Sequence, residues 1–366
     1  MKDACARVIV LLAFFPFAIA LAGATDADGL IVSAGGNLVV IHPDGTQEQI
    51  SKEMGVAVFS PDQQAIAFTV VHMQQVPGPQ SWSVDARLLV LTLSTHAARE
   101  IVRLPAGTGF GQVAWTPDGK AIAYETTVRD KNGVNEDLFL APFPPERGPA
   151  RSLGHWYQGF SFSPDSRRIV HAVNYPATGL EVLDVASGNR TLLHKASNIV
   201  WGAKFSPDGK FIAYEKTVDE PNGSTQSGEE DEPDCSSPNR ELRLFSLLDG
   251  SDTAVSILKA PASVHNFSWS PDGRRIAVEL GTEECVSPSG DASVFVTSTD
   301  QKIQTQISNS SPSIQPAFSS DGSAIAFVDL SQFPARLFRY DLSSGTRSLI
   351  RRASAQENDY QLLEWK

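Results

Sequence analysis

The chain has 366 residues, of which 41% are hydrophobic and 20% charged, with 27 Gly, 23 Pro and 3 Met. That length and composition exclude a disordered or collagen-like chain and leave ample material for a large core. A formal net charge of −12 opposes contact with a phosphate backbone, so nucleic acid is excluded as a partner.

Residues 1–24 read as a secretory signal peptide. Lys2 and Arg7 precede an apolar run from Val8 to Ala22 that is broken by Pro16, and Ala20, Ala22 and Ala24 have the spacing of a cleavage site. The alternative is a membrane anchor, but the run falls short of the ~20 residues of a span. Cleavage would leave residues 25–366 as one soluble domain, periplasmic or secreted and expected to be a monomer. It would remove Cys5 and leave Cys235 and Cys285, a pair that an oxidising compartment would join as one disulfide. Neither belongs to a C-x-x-C pair, so zinc and thioredoxin-like chemistry find no support.

From residue 58 onward one pattern recurs. It reads VFSPDQQAIAF at 58–68, AWTPDGKAIAY at 114–124, SFSPDSRRIVH at 161–171, KFSPDGKFIAY at 204–214, SWSPDGRRIAV at 268–278 and AFSSDGSAIAF at 317–327. The aromatic residues stand at 59, 115, 162, 205, 269 and 318, a period suited to one four-stranded unit per repeat. An aromatic residue ends a short strand. Pro-Asp-Gly then makes a tight turn, because Pro presets φ, Asp bonds backbone amides and Gly accepts positive φ. The Ile-Ala-Tyr run is a second, buried strand. Third strands follow at 87–93, 137–140, 241–245 and 336–341.

Four strands cannot bury both faces of their own sheet, so the units must stack around an axis as propeller blades. The termini supply closure. Tyr360 to Trp365 reads as a seventh innermost strand, and Leu30–Val32, Asn37–Ile41 and Gln47–Ile50 read as the other three strands of that blade. The expectation is an all-β, seven-bladed β-propeller closed by strands from both termini. Six blades with extra terminal strands is the alternative.

The F/W-S-P-D-G-K/R-x-I-A-Y core resembles the propeller repeats of the TolB family of periplasmic proteins. It is also similar to the propellers of prolyl-oligopeptidase-type peptidases. The resemblance lies in the repeats alone: too few residues precede them for the α/β domain of TolB-like proteins, and no hydrolase signature follows. It implies a non-catalytic binding or scaffolding propeller whose partner is an envelope protein.

Signatures of catalysis are missing from the sequence. It contains no G-x-S-x-G, P-loop or H-E-x-x-H. The seven histidines, at 42, 72, 96, 155, 171, 194 and 265, show no ligand spacing, although a propeller axis can gather distant residues. The recurring Asp62, Asp118, Asp165, Asp208, Asp272 and Asp321 read as turn-formers rather than a carboxylate site.

Two features point to recognition. Connections ahead of each first strand line the axial mouth, where Phe110, Trp156, Tyr157, Trp201, His265 and Tyr360 could form a concave, partly apolar site for a partner or ligand. Packing between blades would use the same rings. The second feature is an acidic insertion, DEPNGSTQSGEEDEPD at 219–234. Glu229, Glu230, Asp231, Glu232 and Asp234, with Glu283 and Glu284 of the neighbouring unit, could form a rim for a basic partner or Ca²⁺, pinned by a Cys235–Cys285 bridge. A solvated loop is the plainer reading, because calcium-loop spacing is absent. Two alternatives remain open: a lactonase-like or other hydrolase with a metal or acid at the mouth, and a sensor for a sugar or peptide.

Overall fold

The structure is a computed structural model. It describes residues 29–365 apart from 43–44, 54, 76–81, 131–132, 157–158, 175–176, 219–239, 256–262, 282–291, 309–311, 355–356 and 358–359. The strands form seven antiparallel sheets of four, each with nearest-neighbour order, so the seven-bladed reading stands and the six-bladed alternative does not. Blade 1 takes its inner strand, Gln361–Trp365, from the C-terminal end of the chain and its other three, Leu30–Ala34, Asn37–Ile41 and Gln47–Ser51, from the N-terminal half. Blades 2 to 7 follow in order, with inner strands Ala57–Phe59, Thr108–Trp115, Ser161–Phe162, Val200–Phe205, Ser263–Trp269 and Ser313–Phe318.

Seven apolar clusters hold the ring together, and each joins residues of two neighbouring blades. Phe59, Ile66 and Phe68 of blade 2 pack with Ile31, Leu38 and Val40 of blade 1. Phe318, Ile325 and Phe327 of blade 7 pack with Ala277, Val294 and Val296 of blade 6. The stabilising burial therefore lies in the seams rather than within any sheet, at ~25 cal/mol per Å² of apolar surface.

The repeated turn works as its residues require. Ser60 Oγ donates to Asp62 Oδ1 at 2.6 Å and accepts from Ala65 N at 2.9 Å, and Ser163, Ser206, Ser270 and Ser319 repeat the arrangement. The last four serines are fully buried, so a small hydroxyl is the residue that fits. Gly119, Gly209, Gly273 and Gly322 hold φ of 68–72°, a region open to Gly without strain. The aspartates serve as turn-formers here, and bonds from their neighbours hold every one of them below the usual carboxylate range.

Closure is a paired ladder. Leu30 lies opposite Trp365 and Ser33 opposite Gln361, with a register shift between Ile31 and Val32. Trp365 is buried with Leu30, Ala324 and Leu337, and the Arg339 guanidinium stands 5.3 Å from its ring centre. Glu364 accepts a hydrogen bond from the Phe59 amide of blade 2, and Gln315 Oε1 of blade 7 accepts one from Leu362 N at 2.8 Å. Replacing Trp365 by Ala should lower the unfolding free energy by about 3–5 kcal/mol, read as the urea midpoint at constant slope. A loss below about 0.5 kcal/mol would mean that the ring does not depend on this strand.

Candidate functional site

The mouth is the end of the ring at which each inner strand begins. Three residues before the repeat aromatic, Gly159, Gly202 and Gln315 take left-handed φ of 73°, 57° and 55°. The inner ladders slip there, between Phe110 and Val113, Trp201 and Lys204, and Ile314 and Ala317. Such a bulge turns an amide out of the ladder, and buried carboxylates receive it. Glu125 of blade 3 accepts from Gln112 N in its own blade and Gly159 N of blade 4, each at 2.9 Å. Glu279 of blade 6 accepts from Gln315 N of blade 7 at 2.8 Å. The Gln112 amide completes the first latch, accepting from Phe160 N at 2.8 Å and donating to Phe160 O at 2.9 Å.

Between blades 5 and 6 the same position carries charge. Glu215 is buried and pairs with Arg240 Nη1 at 3.2 Å. The Arg240 guanidinium lies 5.1 Å from the Trp201 ring centre. Lys204 donates to Phe267 O at 2.6 Å and sits 4.5 Å from the Phe267 ring centre. Burial pushes Glu125, Glu215 and Glu279 above the ordinary carboxylate range and pulls Lys204 below the ordinary lysine value, while the Glu215 charge opposes the fall at Lys204. Each group is held by a partner inside the ring, which makes the cluster a brace for the mouth and a frame for Trp201. Among the described residues, no group of three His, Cys, Asp or Glu is arranged to hold a metal ion.

The six aromatic and histidine candidates divide. Phe110 is partly exposed and meets Tyr124 edge-on at 5.6 Å, Trp201 is partly exposed, and His265 is exposed. Trp156 is fully buried, stacks on His171 at 3.8 Å and donates from Nε1 to Gly159 O at 3.3 Å. The cause is local: the inner strand of blade 4 is only Ser161–Phe162, and Trp156 and Phe160 lie in the seam with blade 3, packed on one another. Tyr360 is buried beneath Arg351, whose guanidinium lies 5.1 Å from its ring centre. Packing therefore accounts for Trp156 and Tyr360. Tyr157, the rim carboxylates Glu229, Glu230, Asp231, Glu232, Asp234, Glu283 and Glu284, and the cysteines Cys235 and Cys285 lie outside the described residues.

Sequence reasoning missed the exposed apolar residues of this face. Ile199 is 45% exposed and Val218 41% exposed, next to one another because Thr217 N donates to Ile199 O at 2.9 Å. Phe333, 70% exposed, stands on the mouth-side connection of blade 7. It missed the latch carboxylates too, although a signal existed: Glu125, Glu215 and Glu279 each follow their repeat aromatic by ten positions.

The fold and this face define a seven-bladed propeller with a partly apolar mouth. No protein-family model matches the chain, and no curated protein matches it by sequence. Solved structures do. TolB from Acinetobacter baumannii aligns with a TM-score of 0.51 and 16% identity over 85% of this chain. The chain spans 65% of that TolB's length. An oligogalacturonate lyase in complex with manganese aligns at 0.59 and 13% identity over 83% of this chain and 82% of its own. The β-propeller domain of the Trilobed protease from Pyrococcus furiosus aligns at 0.58 and 10% identity over 89% of this chain and 99% of that one. The likeness to TolB propellers is therefore a likeness of fold, shared with propellers of enzymes.

The latch carboxylates make stability depend on pH. Their folded-state values lie above the reference of 4.5, so their contribution is fully present below that value and is lost as pH rises through the raised one. Glu279→Gln keeps an acceptor for Gln315 N and removes one such titration. The variant should lose less stability than the parent between about pH 4 and about pH 7, measured by urea unfolding. An identical pH slope in the two proteins would show that Glu279 titrates as it does in the unfolded chain.

Proposed function

We propose that this chain is an exported binding propeller that recognises a protein partner through its mouth, with Trp201 at the centre of the contact and Phe110 and His265 beside it. The observation that carries the reading is the placement of Ile199 and Val218, both exposed, beside the partly exposed Trp201 on blade 5. An apolar patch with an aromatic residue braced by a guanidinium suits an interface anchor, since rigid aromatic residues contribute most at low entropic cost. The fold-level likeness to a TolB propeller agrees with a scaffold. The signal-like segment 1–24 supports export, and no helix of the described residues is long and apolar enough to cross a membrane. The acidic insertion at 219–234 would steer a basic partner, and Cys235 and Cys285 would pin it as a disulfide.

Cross-linking in the native compartment tests the reading. The parent and the Trp201→Ala and Ile199→Asp variants are compared at equal thermal stability. A protein recovered by the parent should fall about tenfold or more in both variants. Equal recovery by all three would take the contact away from this face. A stoichiometric, tightly held metal ion in the purified protein would turn the reading toward an enzyme.

A further inference from the structure

On the opposite end of the ring, a cleft of about 520 Å³ opens between the turns of blades 2 and 3, lined among others by Pro61, Asp62, Ala65, Trp115, Pro117 and Phe143. Comparison of the seams shows why it is there. Six residues after the repeat aromatic, blade 4 carries Arg168 and blade 6 carries Arg275. Each lays its guanidinium over the inner aromatic of the next blade, Arg168 at 5.6 Å from Phe205 and Arg275 at 5.8 Å from Phe318. In blade 2 that position is Ala65, and the next aromatic is Trp115. The cleft occupies the place that a guanidinium fills between blades 4 and 5 and between blades 6 and 7.

Charge tells the same story. Five of the six turn aspartates have a cation beside them: Lys120 Nζ at 3.0 Å from Asp118, Lys210 Nζ at 2.9 Å from Asp208, Arg167 and Arg168 near Asp165, Arg274 and Arg275 near Asp272, and Arg339 near Asp321. Asp62 has none among the described residues: Gln64 stands where four of the other five copies carry Lys120, Arg167, Lys210 and Arg274, and Ala65 stands where two carry Arg168 and Arg275. Its Oδ1 accepts from Ser60 Oγ at 2.6 Å and Gln64 N at 3.1 Å, which leaves Oδ2 for another donor. Ala121 and Ala324 are equally small, but the turn aspartates of their seams, Asp118, Asp165 and Asp321, are compensated. Trp115 lines the cleft beside Phe143, which it meets edge-on with ring centres 4.9 Å apart.

We propose that this cleft binds a guanidinium group, stacked on Trp115 and paired with Asp62, as an arginine-like small molecule or as an arginine side chain of a peptide. The planar cation matches both an aromatic face and a carboxylate. This site is independent of the mouth.

Calorimetric titration of the full chain decides it, with N-acetyl-L-arginine amide, free L-arginine, an acetylated Gly-Arg-Gly amide and the neutral N-acetyl-L-citrulline amide as probes. The arginine probes should bind the parent at millimolar concentrations, and the citrulline probe should not. Asp62→Asn should weaken binding about tenfold. Ala65→Arg should abolish it at an unchanged or higher urea midpoint, because the variant copies blades 4 and 6. Tighter binding of the tripeptide than of free arginine would identify a partner's side chain, and the reverse a small molecule; either result upholds the site. Equal affinity for citrulline, undiminished binding by a folded Ala65→Arg chain, or no binding of any arginine probe would overturn it. Should Ala65→Arg fail to fold, Asp62→Asn and the citrulline comparison still decide.

Discussion

The pairing of Leu30–Ala34 with Gln361–Trp365 is the constraint on which the rest of the molecule depends. No blade has a core of its own; the apolar clusters all straddle seams. A ring with one seam open would expose two sheet faces at once and leave an unpaired strand edge. Joining the first described strand to the last converts a stack of marginal sheets into one cooperative unit. The polar contacts at closure follow from that requirement: Glu364 and Gln315 carry the register of the ring across both seams of blade 1 through single amides.

Closure also accounts for charge near the axis. An inner strand has one edge facing the ring's centre, where no fifth strand completes the ladder, and a bulge turns further amides out of pairing. Glu125 and Glu279 take up those amides from the neighbouring blade. Burying a carboxylate costs free energy unless it accepts hydrogen bonds, and the raised protonation tendency of both groups is the sign of that cost. Where the preceding blade offers Glu215 instead to Arg240, the seam gains a charged brace that fixes Trp201. The ring's mechanical need and the shape of its mouth thus come from the same residues.

Most of the fold was legible because the turn announces itself. The Ser/Thr-x-Asp turn between an aromatic residue and an Ile-Ala/Val strand has one physical solution, and six copies of it leave little but a propeller. The blade assembled from both termini was legible too, from the aromatic position of Trp365. The mouth was less so. Phe110, Trp156, Trp201 and Tyr360 look alike in sequence, yet the two-residue inner strand of blade 4 turns Trp156 into the seam, whereas a bulge and Arg240 keep Trp201 near the surface. Strand length and bulge position depend on neighbouring blades, which no local pattern encodes. Ile199 and Val218 escaped because an aliphatic residue at a strand end reads as core until its neighbours are known.

The two ends of the ring present different kinds of information. On the turn end the pattern is nearly invariant, so its chemistry is self-compensating: each carboxylate accepts from a backbone amide, five of the six also from a serine hydroxyl, and nearly all face a cation from the chain. Repetition makes the exception readable, because the seams of Arg168 and Arg275 show the position filled. On the mouth end the connections differ from blade to blade, so no such internal reference exists and exposure must carry the argument. Blade 2 carries Gln63, Gln64 and Ala65 where blade 4 carries Ser166, Arg167 and Arg168 and blade 6 carries Gly273, Arg274 and Arg275. Gln64 and Ala65 leave the turn without the cations of blades 4 and 6, while the serine–aspartate turn itself stays intact. The observed departure leaves the turn whole and uncovers one carboxylate beside one indole, the combination a cationic ligand requires.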